Sequence, residues 1–446
     1  MNAKLLDCGA ALAVLVLSSA LVSAQAGPLR AGVAKVDITP PKDLFPLPKG
    51  DDYIDVHDPL FARALVLDNG SAKVVLISVD SNGIASSSEI VQTIASELKI
   101  PAANIILTET RAHNTPTVQG FPDVDIMPRP PYFEVLQKGI VEAARQANAN
   151  LQPARVGFGA GKAYVNTNRD QKIGDHYGMG YNPDGPSDKT VAVLLVTKPT
   201  GEPIAVYSSY AVHPVLMFRA KTKDGKAEIT ADLAGATSQY VEEHFPGAVA
   251  LWTMGAAGDQ NPLFMADYNQ DSPDVVDEGS GGWAILDVQA RRLGEEIVRV
   301  TKTIQNTSSS AVLWGAQATV TCPGQKRAEP AQPGVRSANV KMVDGDPVDI
   351  YLSLVMINDI AVAAVAGDVF TEIGEHLKRD SLFDRTFMVT TMPNETASIL
   401  TDKAYLLPSQ NAAGNRLKPG CAEPALIDGF LKMEKSYLPV WQAAAR

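Results

Sequence analysis

Apolar residues in this chain come in short runs, long enough for a strand each, separated by stretches in which apolar positions recur every three or four residues. Leu65-Val66-Leu67-Asp68 and Val74-Val75-Leu76-Ile77-Ser78-Val79-Asp80 make two strands with Asn69-Gly70 between them, a strong hairpin signal. From residue 86 to 98 the period changes to helical: Ile90, Val91, Ile94 and Leu98 share a face, and Ser88 is available as a cap. A strand at 104–108 follows, then a Pro-rich loop at 117–131 and a helix over 132–149. Residues 191–196 and 204–212 form another strand pair around Thr200-Gly201. Residues 231–245 read as a helix and 248–254 as a buried strand. The stretches 265–282 (acidic) and 323–347 (rich in Pro, Gly and charge) read as loops.

A weak internal repeat runs through this pattern. Strand 74–80, a helix, strand 104–108 and His113 resemble strand 360–365, helix 370–379, strand 386–391 and Asn394, so Asp80 corresponds to Asp368. Two related halves facing one crevice would follow. Residues at the C-terminal ends of strands in an α/β sheet face the crevice where ligands bind. Two of the six histidines end strand-like runs: His113 in Thr110-Arg111-Ala112-His113-Asn114-Thr115-Pro116, and His213 in His213-Pro214. Histidine there can ligate a metal or move a proton near neutral pH.

Composition narrows the function classes. The 446 residues are 45% hydrophobic and 20% charged, ample for a large core, and the formal net charge of −11, with no Lys/Arg block, argues against a nucleic-acid partner. Lys4, the apolar run 10–22 and Ala24-Gln25-Ala26 read as a signal peptide over 1–26, cleaved near Ala26. A retained N-terminal anchor is the alternative. The expected mature protein, 27–446, is secreted or periplasmic with at most peripheral membrane contact. After cleavage Cys322 and Cys421 remain, either paired or as two free thiols.

The remaining candidates are plainer. His244 and His376 fall on helices, His176 lies in the Gly-rich stretch 174–180, and His57 precedes Asp58-Pro59 as a structural buttress. Asp232 follows Thr230-Ala231 as a helix N-cap. Gly255-Ala256-Ala257-Gly258-Asp259-Gln260-Asn261-Pro262 follows a buried strand, and a turn this small lets backbone N–H groups approach a substrate.

Gly32-Val33-Ala34-Lys35-Val36-Asp37-Ile38-Thr39-Pro40 and His57-Asp58-Pro59-Leu60-Phe61-Ala62-Arg63-Ala64 resemble the opening of the neutral/alkaline non-lysosomal ceramidase family. The 110–116 segment, Asn168-Arg169, Ala211-Val212-His213-Pro214, 230–235, 258–262, Ala366-Gly367-Asp368 and Leu417-Lys418-Pro419-Gly420-Cys421-Ala422-Glu423 match further along in the same order. The likeness implies a single large α/β domain, with mixed β-sheets packed centrally and flanked by helices, and the strand–helix alternation agrees. Longer members add a C-terminal β-sandwich for which this chain has no room. The family's activity is zinc-dependent cleavage of the N-acyl bond of sphingolipids, so a lipid or other small-molecule amide is the implied substrate.

Carried over position by position, the resemblance makes His213 and Asp368 metal ligands. His113 becomes a substrate-side group, while Arg111 stands where the family has its first zinc histidine. The fourth ligand falls near Ser398, and Asn261 stands where the family has a serine. Asn168, Arg169 and Asp259 are retained: Arg169 beside the developing oxyanion, Asp259 orienting the turn or a water, and Asn168 with Arg111 toward the substrate. A catalytic zinc needs about three protein ligands and an open position, and a guanidinium cannot be one. Two outcomes follow. His113 moves in, giving His113, His213 and Asp368 as the Zn2+ set, or Arg111 supplies the positive charge itself and pairs with Asp368 or Asp80. Metal-activated water is the first mechanism; without metal, Ser208, Ser209 and Ser398 are nucleophile candidates by sequence proximity. A degenerate member that binds an amide or lipid-like ligand without turnover is the competing reading.

Overall fold

The computed structural model describes residues 16–18, 25–45, 53–116, 131–218, 227–266, 281–329, 340–392, 398–409 and 411–444. Three units of one design make up the fold. Each has three antiparallel strands, a helix, a fourth strand parallel to the third, and a second helix. The first unit contains β1 (Arg30–Asp37), β2 (Phe61–Asp68), β3 (Lys73–Val79), α1 (Ser87–Leu98), β4 (Ile105–Glu109) and α2 (Tyr132–Ala149). In it β1–β2 and β2–β3 are antiparallel and β3–β4 parallel.

The second unit begins with β5 (Arg155–Lys162), and a side hairpin of β6 (Asn166–Ile173) and β7 (His176–Asn182) follows. It continues through β8 (Thr190–Thr197), β9 (Pro203–Tyr210), α3 (Asp232–His244), β10 (Val249–Met254), the short β11 (Gln260–Pro262) and α4 (Gly281–Thr303). The third contains β12 (Leu313–Arg327), β13 (Met342–Ile357), β14 (Ile360–Val365), β15 (Asp368–Val369), α5 (Thr371–Asp380), β16 (Arg385–Val389), β17 (Ser398–Ile399), α6 (Asp402–Tyr405) and α7 (Ala422–Ala444). Pairing repeats in both: β5–β8 and β8–β9 antiparallel with β9–β10 parallel, then β12–β13 and β13–β14 antiparallel with β14–β16 parallel.

Each sheet buries one face under its own helices and the other against the neighbouring sheets. Ile77, Ile94 and Ile140 belong to the core of the first unit, Val193, Trp252 and Leu293 to that of the second, and Leu354, Ile373 and Phe430 to that of the third. A central cluster draws on all three sheets, among them Leu65, Leu76, Leu194, Tyr207, Val362 and Phe387. The strands read as near-continuous apolar runs because both faces are covered. Side chains near the strand ends also stitch each unit to the next. Ser78 donates to the Trp252 carbonyl, Ser209 to that of Met388 at 3.1 Å, and Thr391 to that of Glu109 at 2.8 Å. The single domain of mixed sheets inside and helices outside is as expected; the twofold repeat is in fact threefold.

Several sequence expectations need correcting. The stretch 323–347 is not simply a loop: β12 runs through to Arg327 and β13 starts at Met342, with a register shift between Cys322 and Gly324. Pro323 sits in that shift, where its missing N–H costs no ladder bond. His176 opens a strand rather than lying in a loop. The α1 helix begins at Ser87, and Ser86 caps it in a left-handed conformation without a side-chain bond, so Ser88 is no cap. The Pro-rich 117–130 segment, most of the acidic stretch 265–282, and Asn394 lie outside the described residues. So does most of the expected leader, although Val16–Ser18 pairs with Gln317–Thr319.

Cys322 and Cys421 form a disulfide across 99 residues of sequence, tying β12 to the start of α7. In the chain-entropy picture a closed loop of this length stabilises by about 4–5 kcal/mol. Replacing both cysteines by serine is expected to destabilise the fold by about 2–4 kcal/mol in urea melts, and a change under ~1 kcal/mol contradicts this.

Candidate active site

The site lies where the three units meet, beyond the C-terminal ends of their third and fourth strands. Three residues past the third strand stand Asn82 in the first unit, His213 in the second and Asp368 in the third. His213 Nε2 lies 3.4 Å from Asp368 Oδ2, and both side chains are buried. Arg169, on β6, places Nη2 3.7 Å from the same oxygen. The His113 and His213 rings meet edge-on with centroids 6.0 Å apart. His213, Asp368 and Arg169 therefore meet at one point, with His113 edge-on to His213 beside them.

The local chain explains each placement. Arg111 sits at φ 68, a left-handed turn that ends β4, with its N–H donating to the Ser81 carbonyl at 3.0 Å. Its own carbonyl receives His113 Nδ1 at 2.8 Å. A carbonyl only accepts, so His113 carries its proton on Nδ1 and turns Nε2 outward. His213 is fixed the same way, its Nδ1 donating to the Gln260 carbonyl at 3.1 Å. Behind it the buried Asp232 carboxylate accepts Leu216 N at 3.1 Å and Met217 N at 2.8 Å. The helix cap proper is Ala231. Asp232 is thus a brace for the turn that carries His213, a role its position after Thr230-Ala231 does not announce.

Arg169 is held by the Gly258 carbonyl at 2.6 Å and the Asn261 side chain at 3.5 Å. Gly258 is required here: a Cβ would come within 2.7 Å of the Asp368 carbonyl. Asp259 accepts Thr371 N at 2.9 Å and Asn168 Nδ2 at 3.0 Å, locking β6, the 255–262 turn and α5 together. Asp259, Asn168 and Asn261 therefore shape the turn and hold Arg169. Ser398 lies directly opposite Asp368 in the β15–β17 ladder. Ser208 and Ser209 are buried on β9, and Ser209 is committed to the Met388 carbonyl.

Arg111 does not pair with Asp80. Asp80 is fully buried and takes Arg63 at 2.7 Å, whereas Arg111 Nη1 stands 3.4 Å from Glu109. On Asp368 Arg111 acts as a longer-range field. Of the other histidines, His57 stacks on Trp283 with centroids 3.6 Å apart and pairs with Asp58, and His376 pairs with Glu423. Residues that the sequence did not single out are Glu109 and Phe218, whose ring meets His113 edge-on at 5.2 Å, and the Gln260 carbonyl.

Charge at the centre follows from burial and two guanidinium groups. Burial, with help from Arg111 and the neighbouring His213, pushes His113 down to about 3. Burial lowers His213 as well, against the pull of Asp368. For Asp368 burial acts upward, but His213, Arg169 and Arg111 outweigh it and hold the carboxyl well below the usual carboxylate range. Both imidazoles are neutral and Asp368 is ionised at pH 7. Burial raises Asp259 to about 6.

A catalytic zinc ion, which the resemblance implies, would need donors from among these groups. His213 Nε2 and Asp368 make two donors facing one point, and Asp368 Oδ1 is buried without a hydrogen-bond partner. Among the described residues, however, no three histidine, cysteine, aspartate or glutamate side chains stand close enough to share a metal ion. His113 does not join the other two as a ligand set. With about three protein donors needed, the described residues do not fit a catalytic zinc.

The fold is mixed α/β, with a buried histidine–carboxylate–guanidinium crevice where strand ends converge. Residues 50–320 match the neutral/alkaline non-lysosomal ceramidase N-terminal family, and the chain belongs to that family. It is 26% identical over 290 residues to a neutral ceramidase of Pseudomonas aeruginosa, an alignment covering 58% of this chain and 40% of that protein's length. The crystal structure of neutral ceramidase from Pseudomonas aeruginosa superposes with a TM-score of 0.67 at 16% identity, over 92% of this chain and 75% of that one. A ceramidase complexed with C2 superposes at 0.68 and 15% identity, with the same coverage.

Proposed function

We propose that this chain hydrolyses the N-acyl bond of a lipid amide of the ceramide type at the crevice formed by His213, Asp368 and Arg169. The observation that carries the reading is the facing of two acceptors. His213 spends its Nδ1 proton on Gln260, so its Nε2 lone pair looks across 3.4 Å at the Asp368 carboxylate. A separation of that length is too great for a strong direct hydrogen bond. A water beside the pair, about 2.8 Å from each acceptor, can donate one proton to His213 Nε2 and the other to Asp368 Oδ2 and is thereby activated toward attack. Its oxygen adds to the carbonyl carbon as one proton passes to His213 Nε2, and Asp368 stabilises the imidazolium formed. Arg169, with Arg111 and His113 nearby, supports the oxyanion. Collapse breaks the C–N bond, and His213 returns the proton to the leaving nitrogen.

Secretion, or export to a periplasm, agrees with the disulfide, since such bonds persist in oxidising compartments. Among the described residues no helix is long and apolar enough to cross a membrane. Incubation with an N-acylsphingosine bearing a fluorescent acyl chain, read by chromatography, should release free acid and amine in equal amounts. Saturable binding without product after prolonged incubation would instead establish the non-hydrolysing reading, which the guanidinium at position 111 motivates.

A further inference from the structure

We propose that the centre works without a metal ion, the guanidinium groups of Arg111 and Arg169 supplying the fixed positive charge that polarises the bound carbonyl. This rests on the hydrolytic reading for its chemistry, but its central claim concerns cation binding and is measurable separately.

Three observations carry it. First, the donor set falls short: His213 and Asp368 face each other, and no third histidine, cysteine or carboxylate among the described residues shares their point of convergence. His113 is held away by its own turn, with Nδ1 bonded two residues back to the Arg111 carbonyl at 2.8 Å. Second, the carboxylate already has a cation. Arg169 Nη2 lies 3.7 Å from Asp368 Oδ2, and Arg169 is itself fixed by Gly258 and Asn261, so it cannot swing away to admit a metal without breaking those bonds. Third, Arg111 stands on the left-handed turn at the end of β4, near enough for its charge to act on His113, His213 and Asp368. A guanidinium never loses its proton under these conditions, so it opposes a dication arriving beside it at every accessible pH. Glu109, 3.4 Å from Arg111 Nη1, balances part of that charge and keeps the group in place.

A fixed guanidinium is chemically adequate for this task. An oxyanion developing on the carbonyl needs a positive group that is in place before reaction, because reorienting dipoles during the step costs rate. Arg169 is buried and anchored at both nitrogens of its fork, which meets that requirement without a metal.

The test uses the full chain, produced in zinc-supplemented medium and dialysed, with metal content and zinc titration as readouts. Wild type is expected to retain less than ~0.1 zinc per chain, and any hydrolysis should change less than about twofold on adding a strong chelator, since a structural zinc donor set is absent. Arg111→His supplies the third donor and removes the opposing charge. It should raise zinc content toward about one per chain and gain a zinc-dependent rise in Tm. Arg111→Lys keeps the charge and should stay metal-free, with circular dichroism confirming that both variants fold. Stoichiometric zinc in the wild type, or chelator-abolished hydrolysis, overturns the proposal, and so does a folded Arg111→His variant that binds no more zinc than Arg111→Lys. A wild type that neither binds zinc nor cleaves any amide, alongside a zinc-binding Arg111→His, leaves the metal-free assignment standing and refutes the hydrolytic reading instead.

Discussion

Replacing Asp368 by Asn is expected to lower the turnover of an N-acyl amide by about 10²- to 10⁴-fold, the range for losing a positioned acid–base group. The substitution keeps the shape of the side chain and its place opposite Ser398 in the β15–β17 ladder. It removes the charge that orients the attacking water and stabilises the imidazolium of His213, 3.4 Å away. It also leaves the guanidinium of Arg169, 3.7 Å distant and buried, without its anion. Loss of stability of about 2–4 kcal/mol should accompany the kinetic effect, since stripping one partner from a buried pair strands the other charge. The two consequences separate experimentally. A kcat loss with KM nearly unchanged, measured well below the variant's Tm, marks the chemical role. A variant that turns over within threefold of wild type would remove Asp368 from the mechanism.

Arg63→Met is expected to cost about 3–5 kcal/mol in denaturant unfolding, the range for breaking a buried ion pair on one side. Arg63 and Asp80 are 2.7 Å apart and both almost wholly inaccessible, at 2% and 0% side-chain exposure. Asp80 also accepts Phe61 N at 2.9 Å, so its carboxylate ties the start of β2 to the end of β3. Burial raises the Asp80 carboxyl, and Arg63 is the main force opposing that. Without the guanidinium the carboxyl protonates or stays charged at high cost. Arg63 reaches further, to Glu242 on α3 at 3.9 Å, where Lys35 also binds at 2.6 Å. The pair thus contributes to the seam between the first and second units. Adding Asp80→Asn to Arg63→Met should restore more than half of the loss, because the stranded charge is gone. Equal stability of the single and double variants would show that the cost came from packing alone.

Much of this was readable from the chain. Strands β2, β3, β4, β8, β9 and β10 and helices α1 to α3 follow from apolar runs and helical spacing, because each strand is covered on both faces and each helix on one. The convergence of His213, Asp368 and Arg169 was legible through collinear motifs, although they lie on different units. Three things were not. The ends of β12 and β13 are rich in Pro, Gly and charge, and only cross-strand pairing makes them strands. The third repeat was hidden because the second unit inserts the β6–β7 hairpin between its first two strands. The partners of Arg111 and Asp80 were also out of reach, since β-branched neighbours in sequence say nothing of which cation a buried carboxylate meets across a sheet. Arg63 on β2 is seventeen residues from Asp80 in sequence, yet its guanidinium is the cation that meets that carboxylate.

The threefold build bears on how such a crevice changes chemistry. Each unit has its own helix-covered core, and three residues beyond their third strands stand Asn82, His213 and Asp368, of which the last two meet in the crevice. His213 and Asp368 come from different blocks and meet the same Arg169, so a change at either corner is felt across the seam as well as within its own block.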